Sequence, residues 1–595
     1  MKIRKVEIHN WRSVVHESIE FRELMIFIGQ NNHGKSNILS AILFFFGEIT
    51  PSELDYCNHA DDMWVEIEFG DLNDDEKSTF RKYVTAENSI KVRRSASKSA
   101  SVTLNGYRQI PVDDWLLESS VSNYTTQESA KALPLYALLP KSGRITQDQF
   151  KQAQSDYIRE NETTLEFDYK IEDSPFLGAK NVSKGIFGDL IFIPSIKKAS
   201  EELSSKGQTS FSQLYARVIA RISETNDDFL SAKAKLLDLT KLLSKTTDEG
   251  EQNTKRPEEL SSLESMLEDE LKIWNAKIEI DISPPNIDEI FRVGANVWID
   301  DGIRTDIERK GHGMQRALIF ALLRSWSKTL RAEKEKQIQE NSGAGPSTGG
   351  RTASRSTYFV FEEPELFLHP HAQRELFSSL VNLSTEDNQI ILCTHSSSFV
   401  GLNHYKSICV VKKTDCAEGT RVVQCAEELF GNGNDKKQFN LTYWMNPDRG
   451  ELFFARKVIL VEGATDKSVI PMIAKRLDID RHDCSIIDCG SKGNMPQYIQ
   501  LLNKFKLEYV AVYDRDHQIS KNQDAHASAD IDSTKIEESI DENLGRSIIF
   551  ENDIEEEIGL NGASASNKPW VAVQHIEEPY EIPDQLKRKI KDIYS

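Results

Sequence analysis

The chain has 595 residues, a formal net charge of −21 and seven cysteines without a C-x-x-C pair. This length suffices for roughly three to five domains, and the odd, scattered cysteines exclude a disulfide framework and a cysteine-rich zinc site. The acidic charge excludes binding to nucleic acid through the overall field, so such a partner needs local basic patches and metal ions among the acids.

The amino-terminal residues predict a cytoplasmic protein that begins with two short strands. The segment MKIRKVEIHNWRS lacks an apolar signal core and no run in the chain approaches a membrane span, so we expect no membrane partner. Ile3–Ile8 and Ser18–Phe21 predict a hairpin. The alternation of Val65, Ile67 and Phe69 with polar residues predicts a half-exposed strand.

A phosphate-binding loop follows the hairpin. Gly29–Ser36, GQNNHGKS, fits G-x-x-x-x-G-K-[ST] between a buried-strand pattern at Leu24–Ile28 and a helix pattern at Asn37–Phe46. Backbone N–H groups then face the phosphates, Lys35 reaches the β and γ oxygens and Ser36 ligates a metal ion. The residues predicted to bind ATP here are Gly29, Asn32, Gly34, Lys35, Ser36 and Asn37.

The middle of the chain predicts a helical insertion. Residues 98–187 carry mixed α/β signals, and Asp189–Pro194 and Val297–Ile299 predict strands. From about Ser200 to Trp274 the chain is charged and poor in glycine, with apolar residues at helical spacing. Such a stripe is either ordinary core or an arm or dimer surface, and the residues leave both open.

A second glycine-rich helix start lies in Glu308–Phe320, ERKGHGMQRALIF. The turn flanked by Gly311 and Gly313 opens a helix at Met314, whose free N–H groups are another phosphate-binding device. An ordinary helix start has the same pattern. With Gln315, both glycines are predicted to bind ATP.

Two adjacent acids end the strand that follows. Residues 333–356 are rich in Gly, Ser and Thr and predict a disordered loop. Tyr358–Phe361 then predicts a buried strand ending at Glu362 and Glu363. Either this is a solvated acidic loop, or it is a Walker B strand in which Glu362 holds magnesium through water and Glu363 polarises the water that attacks the γ-phosphate.

The order of these motifs resembles that of ABC-type ATPases. Ile390–His395, IILCTH, follows the Walker B pattern, and His395 at the strand end matches the switch histidine that senses the γ-phosphate. In such ATPases the glycine-rich signature loop closes on nucleotide held by the other subunit, which implies a homodimer or higher homo-oligomer. The signature departs from LSGGQ, with His312 where serine is expected, and no Q-loop glutamine is assigned.

The carboxy-terminal third alternates strands with helices, which predicts a parallel sheet with functional groups at the carboxyl ends of its strands. The predicted elements are strands at Arg456–Val461, Ser485–Ile487 and Glu508–Tyr513, and helices at Thr465–Leu477 and from about Asn494 to Phe505.

Acids collect at these strand ends. Four that converge on one crevice cannot all stay ionised without cations, and two divalent ions about 4 Å apart are the usual solution for cleaving a phosphodiester. Asp553 and Glu555 extend the set or belong to an ordinary acidic helix. Lys568 stabilises charge on a phosphate or is a solvent lysine. The four convergent acids are Glu462, Asp466, Asp514 and Asp516.

Together, EEPELFLHP and VILVEGATD resemble the OLD (overcoming lysogenization defect) nuclease family, in which a RecF- or SMC-like ATPase precedes a Toprim domain. The resemblance is strong at residues 1–70, 295–400 and 452–570. It implies ATP-regulated cleavage of DNA with Mg²⁺, Mn²⁺ or another divalent cation, commonly in antiphage defence with a partner such as a helicase or a retron. It also implies a dimer contact in the insertion and a place for Lys568 beside the scissile phosphate. The metal ligands it implies are Glu462, Asp466, Asp514, Asp516, Asp553 and Glu555.

The predicted fold is therefore α/β: an ABC-type, RecF/SMC-like ATPase domain with a helical insertion, followed by a parallel α/β Toprim domain. The predicted bounds are 1–199 and 286–445 for the two ATPase parts, 200–285 for the insertion and 452–595 for the nuclease domain.

The predicted function is an ATP-binding and ATP-hydrolysing, metal-dependent DNA endonuclease in bacterial antiphage defence. The alternative is an SMC- or RecF-like DNA-clamping ATPase with a non-nucleolytic Toprim domain, which is disfavoured because every acidic position is filled. A topoisomerase needs a nucleophilic tyrosine on a separate DNA-binding domain, and a primase needs zinc-binding and polymerase regions. Too few residues follow Asp516 for either.

Overall fold

Strands and helices alternate through most of the chain, and they form two compact units. The first unit comprises Met1–Pro194, Thr348–Glu365 and Gln373–Ser595, and the second comprises Ser195–Ser347 and Leu366–Ala372. The computed structural model describes residues 1–98, 100–161, 164–172, 174–178, 186–195, 226–244, 253–270, 280, 298–311, 313–321, 325, 356–384, 388–413, 415, 417–425, 427, 449–518, 523–560, 567–577 and 579–595.

The strands are β1 (Lys2–Trp11), β2 (Val14–Glu20), β3 (Leu24–Ile28), β4 (Asp62–Gly70), β5 (Ile90–Ser97), β6 (Ala100–Pro111), β7 (Phe167–Ile171), β8 (Asp189–Ile193), β9 (Trp298–Asp300), β10 (Arg304–Asp306), β11 (Thr357–Glu362), β12 (Asn388–Cys393), β13 (Ile408–Lys413), β14 (Thr420–Gln424), β15 (Lys457–Val461), β16 (Cys484–Asp488), β17 (Glu508–Asp514) and β18 (Gly545–Phe550). The helices are α1 (Lys35–Phe46), α2 (Asp74–Thr79), α3 (Gln127–Ala130), α4 (Gln147–Glu160), α5 (Asp227–Leu243), α6 (Glu258–Glu270), α7 (Pro370–Leu383), α8 (Ala464–Arg476), α9 (Met495–Lys504), α10 (Gln523–Ser539), α11 (Ile554–Glu557), α12 (Lys568–His575) and α13 (Asp584–Tyr594).

Three large sheets organise the first unit. An antiparallel sheet has the order β2-β1-β4-β5-β6-β7. A second sheet has the order β14-β13-β3-β12-β11-β8, in which only β14 is antiparallel to its neighbour. The third sheet, β16-β15-β17-β18, is parallel throughout. The structure thus confirms the predicted strands at the hairpin, the phosphate loop, the acidic pair and the carboxy-terminal repeat.

Helix α1 explains how the first two sheets share one core. Its sequence, KSNILSAILFFF, is apolar on every side, and such a helix is stable only when it is buried all round. Phe45 packs against Phe69 of β4 and against Phe187, while Ile391 of β12 and Val360 of β11 belong to the same buried cluster. The phosphate loop at its amino end is therefore anchored by a helix that is buried from Ile38 to Phe45.

The second unit contains α5, α6, the β9-β10 hairpin and a helical segment at 313–321. Arg256 and Glu264 form a buried two-pronged ion pair, with N–O distances of 2.9 and 2.8 Å. In the predicted insertion the structure describes the two helices α5 and α6 and short non-helical stretches next to them. Its remaining residues, His312 and most of the predicted disordered loop lie outside the described residues.

Two further predictions concern the whole chain. Within the described ranges, no helix is both long and apolar enough to cross a membrane. The cysteines that the structure describes are all free thiols.

One buried side chain joins the first two sheets. Gln389 of β12 accepts a hydrogen bond from the Ile3 N–H at 2.6 Å and donates to the carbonyl oxygens of Ile3 and Arg22 at 2.9 and 3.1 Å. The register of β1 against β4 shifts between Ile3 and Lys5. Gln389 therefore satisfies the backbone groups of Ile3 next to the irregularity, where the strand ladder is interrupted.

We predict that Gln389→Leu lowers the free energy of unfolding by about 3 kcal/mol. The substitution leaves buried backbone groups of Ile3 and Arg22 without their hydrogen-bond partner. Urea unfolding measures this. Gln585→Leu, at an exposed position of α13, is the control and should change stability little. Equal stability of the two variants would contradict the bridging role of Gln389.

Candidate nucleotide and metal sites

The phosphate loop between β3 and α1 has a backbone that demands small residues. Gly29, Asn32 and Gly34 have φ values of 142°, 63° and 100°. A Cβ on Gly29 would lie 2.2 Å from the carbonyl oxygen of Val411, so only glycine fits there. This backbone leads directly into the amino end of α1, where free N–H groups favour a phosphate.

Lys35 is held across this loop. The side chain is 5% exposed, and its Nζ donates to the carbonyl oxygens of Gly29 and Gln30, both at 2.9 Å. Burial lowers the pKa of Lys35, while the charges of Glu363 and Glu365 oppose that shift. An ammonium has three N–H donors, so one is left to meet a ligand.

Side chains from distant segments fasten the loop. Asn37 donates to the Ser13 hydroxyl at 2.7 Å, which bonds the Thr420 hydroxyl at 2.7 Å. Thr420 in turn donates to the carbonyl of His33 at 2.9 Å. Ser36 remains exposed at the loop. Ser13 and Thr420 carry no motif, and sequence reasoning missed both.

The predicted Walker B acids and switch histidine meet at the neighbouring strand ends. Glu362 is the last residue of β11. Glu363 has a φ of 44°, donates its N–H to the Cys393 carbonyl at 2.9 Å and places Oε1 3.5 Å from His395 Nε2. Burial, together with the charge of Lys35, lowers the pKa of His395 to about 4. The imidazole is therefore neutral at pH 7.

Sequence reasoning also missed Glu365, a third acid beside this pair. Its carboxylate accepts the His395 N–H at 2.7 Å and is 7% exposed. Burial raises the pKa of Glu365, and Glu363 adds to the shift. Its other oxygen, Oε2, is buried without a hydrogen-bond donor. Glu365 therefore orients the backbone of the histidine loop, and the only available signal was its place in EEPELF.

Gly311, Gly313 and Gln315 belong to the second unit. The N–H groups of Met314 and Gln315 both donate to the Gly311 carbonyl, at 3.0 and 3.1 Å. The buried Gln315 amide donates to the carbonyls of Ile307 and Lys310 at 2.9 and 2.8 Å. In this structure Gln315 therefore secures its own turn, and its contact with ATP stays a prediction.

The predicted acidic residues of the carboxy-terminal part surround one cavity. Parallel pairing aligns the carboxyl ends of β15, β17 and β18, and the residues that follow them share one edge. The strand β18 was not predicted, and it carries the segment with Asp553 and Glu555 into the site. The cavity has a volume of about 550 Å³, and the predicted residues that line it are Glu462, Asp466, Asp514, Asp516, Asp553, Glu555 and Lys568.

Three of these carboxylates accept hydrogen bonds that fix their positions. Glu462 accepts from the Asp514 N–H at 2.8 Å, and Asp466 accepts from the Gly463 N–H at 3.1 Å. Asp553 accepts from Gln518 at 2.8 Å, a contact that sequence reasoning missed. Lys568 Nζ lies 3.4 Å from Glu555 Oε1. The cation therefore faces the acids across one end of the cavity.

Charge is not balanced in this cluster. Burial, followed by the charges of Asp466 and Glu462, raises the pKa of Asp514 far above its ordinary value. Burial and the charge of Glu462 raise the pKa of Asp466 to about 7. Asp514 Oδ1 is buried without a hydrogen-bond donor. A nearby cation would lower both pKa values, because it favours the ionised carboxylates.

The donor set fits a hard divalent cation. Carboxylate oxygens are the ligands that Mg²⁺ prefers. Asp514 Oδ1 accepts no hydrogen bond, so its lone pairs are available to a cation. Among the residues that the structure describes, no three acidic, histidine or cysteine side chains surround one point closely enough to hold an ion as they stand. Glu462 and Asp466 each accept a backbone hydrogen bond in this arrangement.

Two family models match separate parts of the chain. Residues 1–400 match the family described as AAA ATPase domain. Residues 453–516 match the family described as Overcoming lysogenization defect protein-like, TOPRIM domain.

Two named proteins are similar to this chain. The Old nuclease of Escherichia phage P2 is 24% identical over 528 residues, which cover 87% of this chain and 77% of that protein. The OLD nuclease of Thermus scotoductus is 30% identical over 163 residues, 26% of this chain and 30% of that protein. The SMC head domain from Thermotoga maritima aligns with this chain at 12% identity and a TM-score of 0.28. The alignment covers 71% of this chain and 99% of that domain. This likeness is too weak to bear on the fold.

The raised pKa values predict an unusual pH dependence. A carboxyl whose pKa is raised by folding contributes stability below its unfolded pKa of about 4, and this contribution is lost as pH rises through the folded pKa. In metal-free buffer, stability should therefore fall from pH 5 to pH 8. Asp514→Asn should flatten this fall and raise stability at pH 8 by on the order of 2 kcal/mol.

Thermal and urea unfolding in EDTA measure the effect, with exposed Asp524→Asn as the control. Added Mg²⁺ should stabilise the native chain more than Asp514→Asn. If stability depends on pH in the same way in Asp514→Asn and in Asp524→Asn, the raised pKa of Asp514 is not the cause of the fall in stability.

Proposed function

We propose that this chain, which belongs to the OLD family and joins an AAA ATPase domain to an OLD-like TOPRIM domain, is an ATP-hydrolysing, divalent-metal-dependent DNA endonuclease. The observation that carries the proposal is the convergence of six carboxylates and Lys568 on one cavity of about 550 Å³. The same unit holds a phosphate loop with Lys35, Glu363 and His395 beside it. The named nuclease relatives support the same conclusion.

Cutting takes place at the carboxy-terminal cavity. Asp466, Asp514 and Glu462 would hold the divalent cations, and Asp516, Asp553 and Glu555 would complete the set. Such ions lower the pKa of a bound water and stabilise the leaving oxygen of a phosphodiester. Lys568, which lies beside Glu555, faces the negative charge that develops on the phosphate. Gln518 positions Asp553 through its amide hydrogen bond.

ATP hydrolysis takes place at the amino-terminal loop. Lys35 would bind the β- and γ-phosphate oxygens of ATP. Ser36 would ligate the magnesium ion, and Glu362 would hold it through water. Glu363 orients the attacking water, and neutral His395 donates its ring N–H to the γ-phosphate. The 3.5 Å separation of Glu363 and His395 supports their action on one reacting group.

Assembly follows from the second unit. A signature turn at Gly311, Gly313 and Gln315 completes a nucleotide site across a subunit boundary, so the enzyme works as a homodimer or higher homo-oligomer. The insertion supports this role, because Leu239 and Met266 are 56% and 66% exposed. As a DNA-cutting enzyme it acts in the cytoplasm of a bacterial cell in antiphage defence, alone or with a helicase or retron component.

For the ATP site, we expect Glu363→Gln to keep nucleotide binding and lower ATP turnover by about a hundredfold or more, because it removes the group that orients water. Lys35→Ala should lose turnover and the nucleotide bound at this phosphate loop. ADP and ATP binding by calorimetry and phosphate release measure the two properties. Exposed Glu375→Gln is the control, and undiminished hydrolysis in Glu363→Gln would assign catalysis to another acid.

For the nuclease site, Glu462→Ala and Asp514→Ala should abolish nicking of supercoiled plasmid in Mg²⁺ or Mn²⁺ and leave ATP hydrolysis largely intact. Lys568→Ala should slow nicking by about a hundredfold without loss of metal binding, as expected of a group that stabilises charge in the transition state. Exposed Glu538→Ala is the matched control. Nicking that survives Glu462→Ala would favour a DNA-clamping ATPase whose TOPRIM domain does not cut.

A further inference from the structure

A second cavity lies between the phosphate loop and the carboxy-terminal part of the first unit. Its volume is about 310 Å³. Its walls come from the loop itself, from the end of β13 and from the segment that leads into β15. The lining residues that bear on its chemistry are Gly29, His33, Lys412, Lys413, Phe454 and Arg456.

The lining is basic although the chain is strongly acidic. Lys412, Lys413 and Arg456 supply three cations, and Glu508 is the one acid that lines the cavity. The chain as a whole carries a net charge of −21. A local excess of positive charge in such a protein requires a reason, and an anionic ligand is the simplest one.

The partners of these cations leave charge to spare. Lys412 donates an ammonium N–H to the carbonyl of Lys506, which is a neutral acceptor. Burial lowers the pKa of Lys412, and the charge of Glu508, the acid that lines the cavity, opposes this shift. Arg456 approaches Asp483 only at 3.9 Å, and Asp483 already pairs with Arg481 at 2.8 Å.

The cavity also has an aromatic wall. Phe453 is buried and packs edge-on against Phe505 with ring centroids 5.1 Å apart, which anchors the segment. The next residue, Phe454, is half-buried and lines the cavity. Its N–H donates to the Glu451 carbonyl at 2.9 Å, so its backbone is fixed as well. An aromatic ring near cations suits a ligand that has both a base and a phosphate.

The remaining wall is the phosphate loop. Gly29 lies against the Val411 carbonyl, and His33 Nδ1 lies 3.3 Å from the same oxygen. Lys35, Ser36, Glu363 and His395 are not lining residues of this cavity. An occupant therefore touches the loop beside the position predicted for the ATP phosphates.

We propose that this cavity binds a second nucleotide, with its phosphates against Lys413 and Arg456 and its base against Phe454. A volume of about 310 Å³ suits a single nucleotide and excludes a duplex. The bound nucleotide contacts Gly29 and His33 and so adjusts the phosphate loop from its outer side. The inference goes beyond the proposed nuclease, because it requires no cleavage of DNA.

The test counts ADP bound to the full chain by equilibrium dialysis. The native chain should bind two equivalents of ADP. Lys35→Ala should bind one, and the double variant Lys413→Glu with Arg456→Glu should also bind one. The variant that combines all three substitutions should bind none. Arg588→Glu, an exposed position on α13, should bind two. Phe454→Ala should weaken the remaining site of Lys35→Ala about tenfold, and Phe454→Tyr should restore it.

Several outcomes would overturn the proposal. One is that Lys35→Ala binds no ADP at all. Another is that the ADP still bound by Lys35→Ala is unchanged when Lys413→Glu and Arg456→Glu are added. A third is binding of a short single-stranded oligonucleotide but not of ADP by Lys35→Ala, which would make the cavity a DNA contact. Because the readout is bound ADP, a failure here leaves the plasmid-nicking test of the nuclease unaffected.

Discussion

Parallel pairing of strands is the constraint on which both sites depend. In a parallel sheet the backbone hydrogen bonds align the strands in one direction, so the residues that follow neighbouring strands meet at one edge. The strands β3, β11 and β12 come from widely separated parts of the chain, yet their register brings the phosphate loop, Glu363 and His395 together. In the carboxy-terminal sheet, the residues that follow the parallel strands β15, β17 and β18 meet at one edge in the same way. In each sheet the functional groups lie on loops that a buried framework holds in place.

The two edges differ in how they balance charge. At the first, Lys35 lies among Glu363, Glu365 and the neutral His395, so the cation and the acids offset one another. At the second, buried carboxyls raise one another's pKa, and Lys568 is paired with Glu555 at one end of the cavity. The first edge is thus prepared for an anionic phosphate and the second for cations. The basic cavity beside the phosphate loop adds a third kind of surface, suited to an anion with a base.

The sequence predicted the strands and motifs that depend on local pattern. Buried runs such as LMIFI and TYFVFE are apolar over their whole length, and this is typical of strands covered on both faces. Weaker patterns failed: β18 was missed although it pairs with β17 along six residues. The strand β5 was not predicted, and β6 and β7 lie in a region that was recognised only as mixed α/β. Glu365 was missed because burial, which raises its pKa, is a property of its surroundings.

By itself, the sequence determined the phosphate loop, the acidic strand ends and the order of the motifs, since these depend on residue types at fixed short spacings. Only the tertiary structure decided which distant groups meet. Ser13, Asn37 and Thr420 form one chain of hydrogen bonds, and Gln389 joins two sheets across 386 residues of sequence. The cavity at Phe454 and Lys413 likewise joins segments that have no common motif. Such contacts depend on backbone paths and burial, which short-range patterns do not encode.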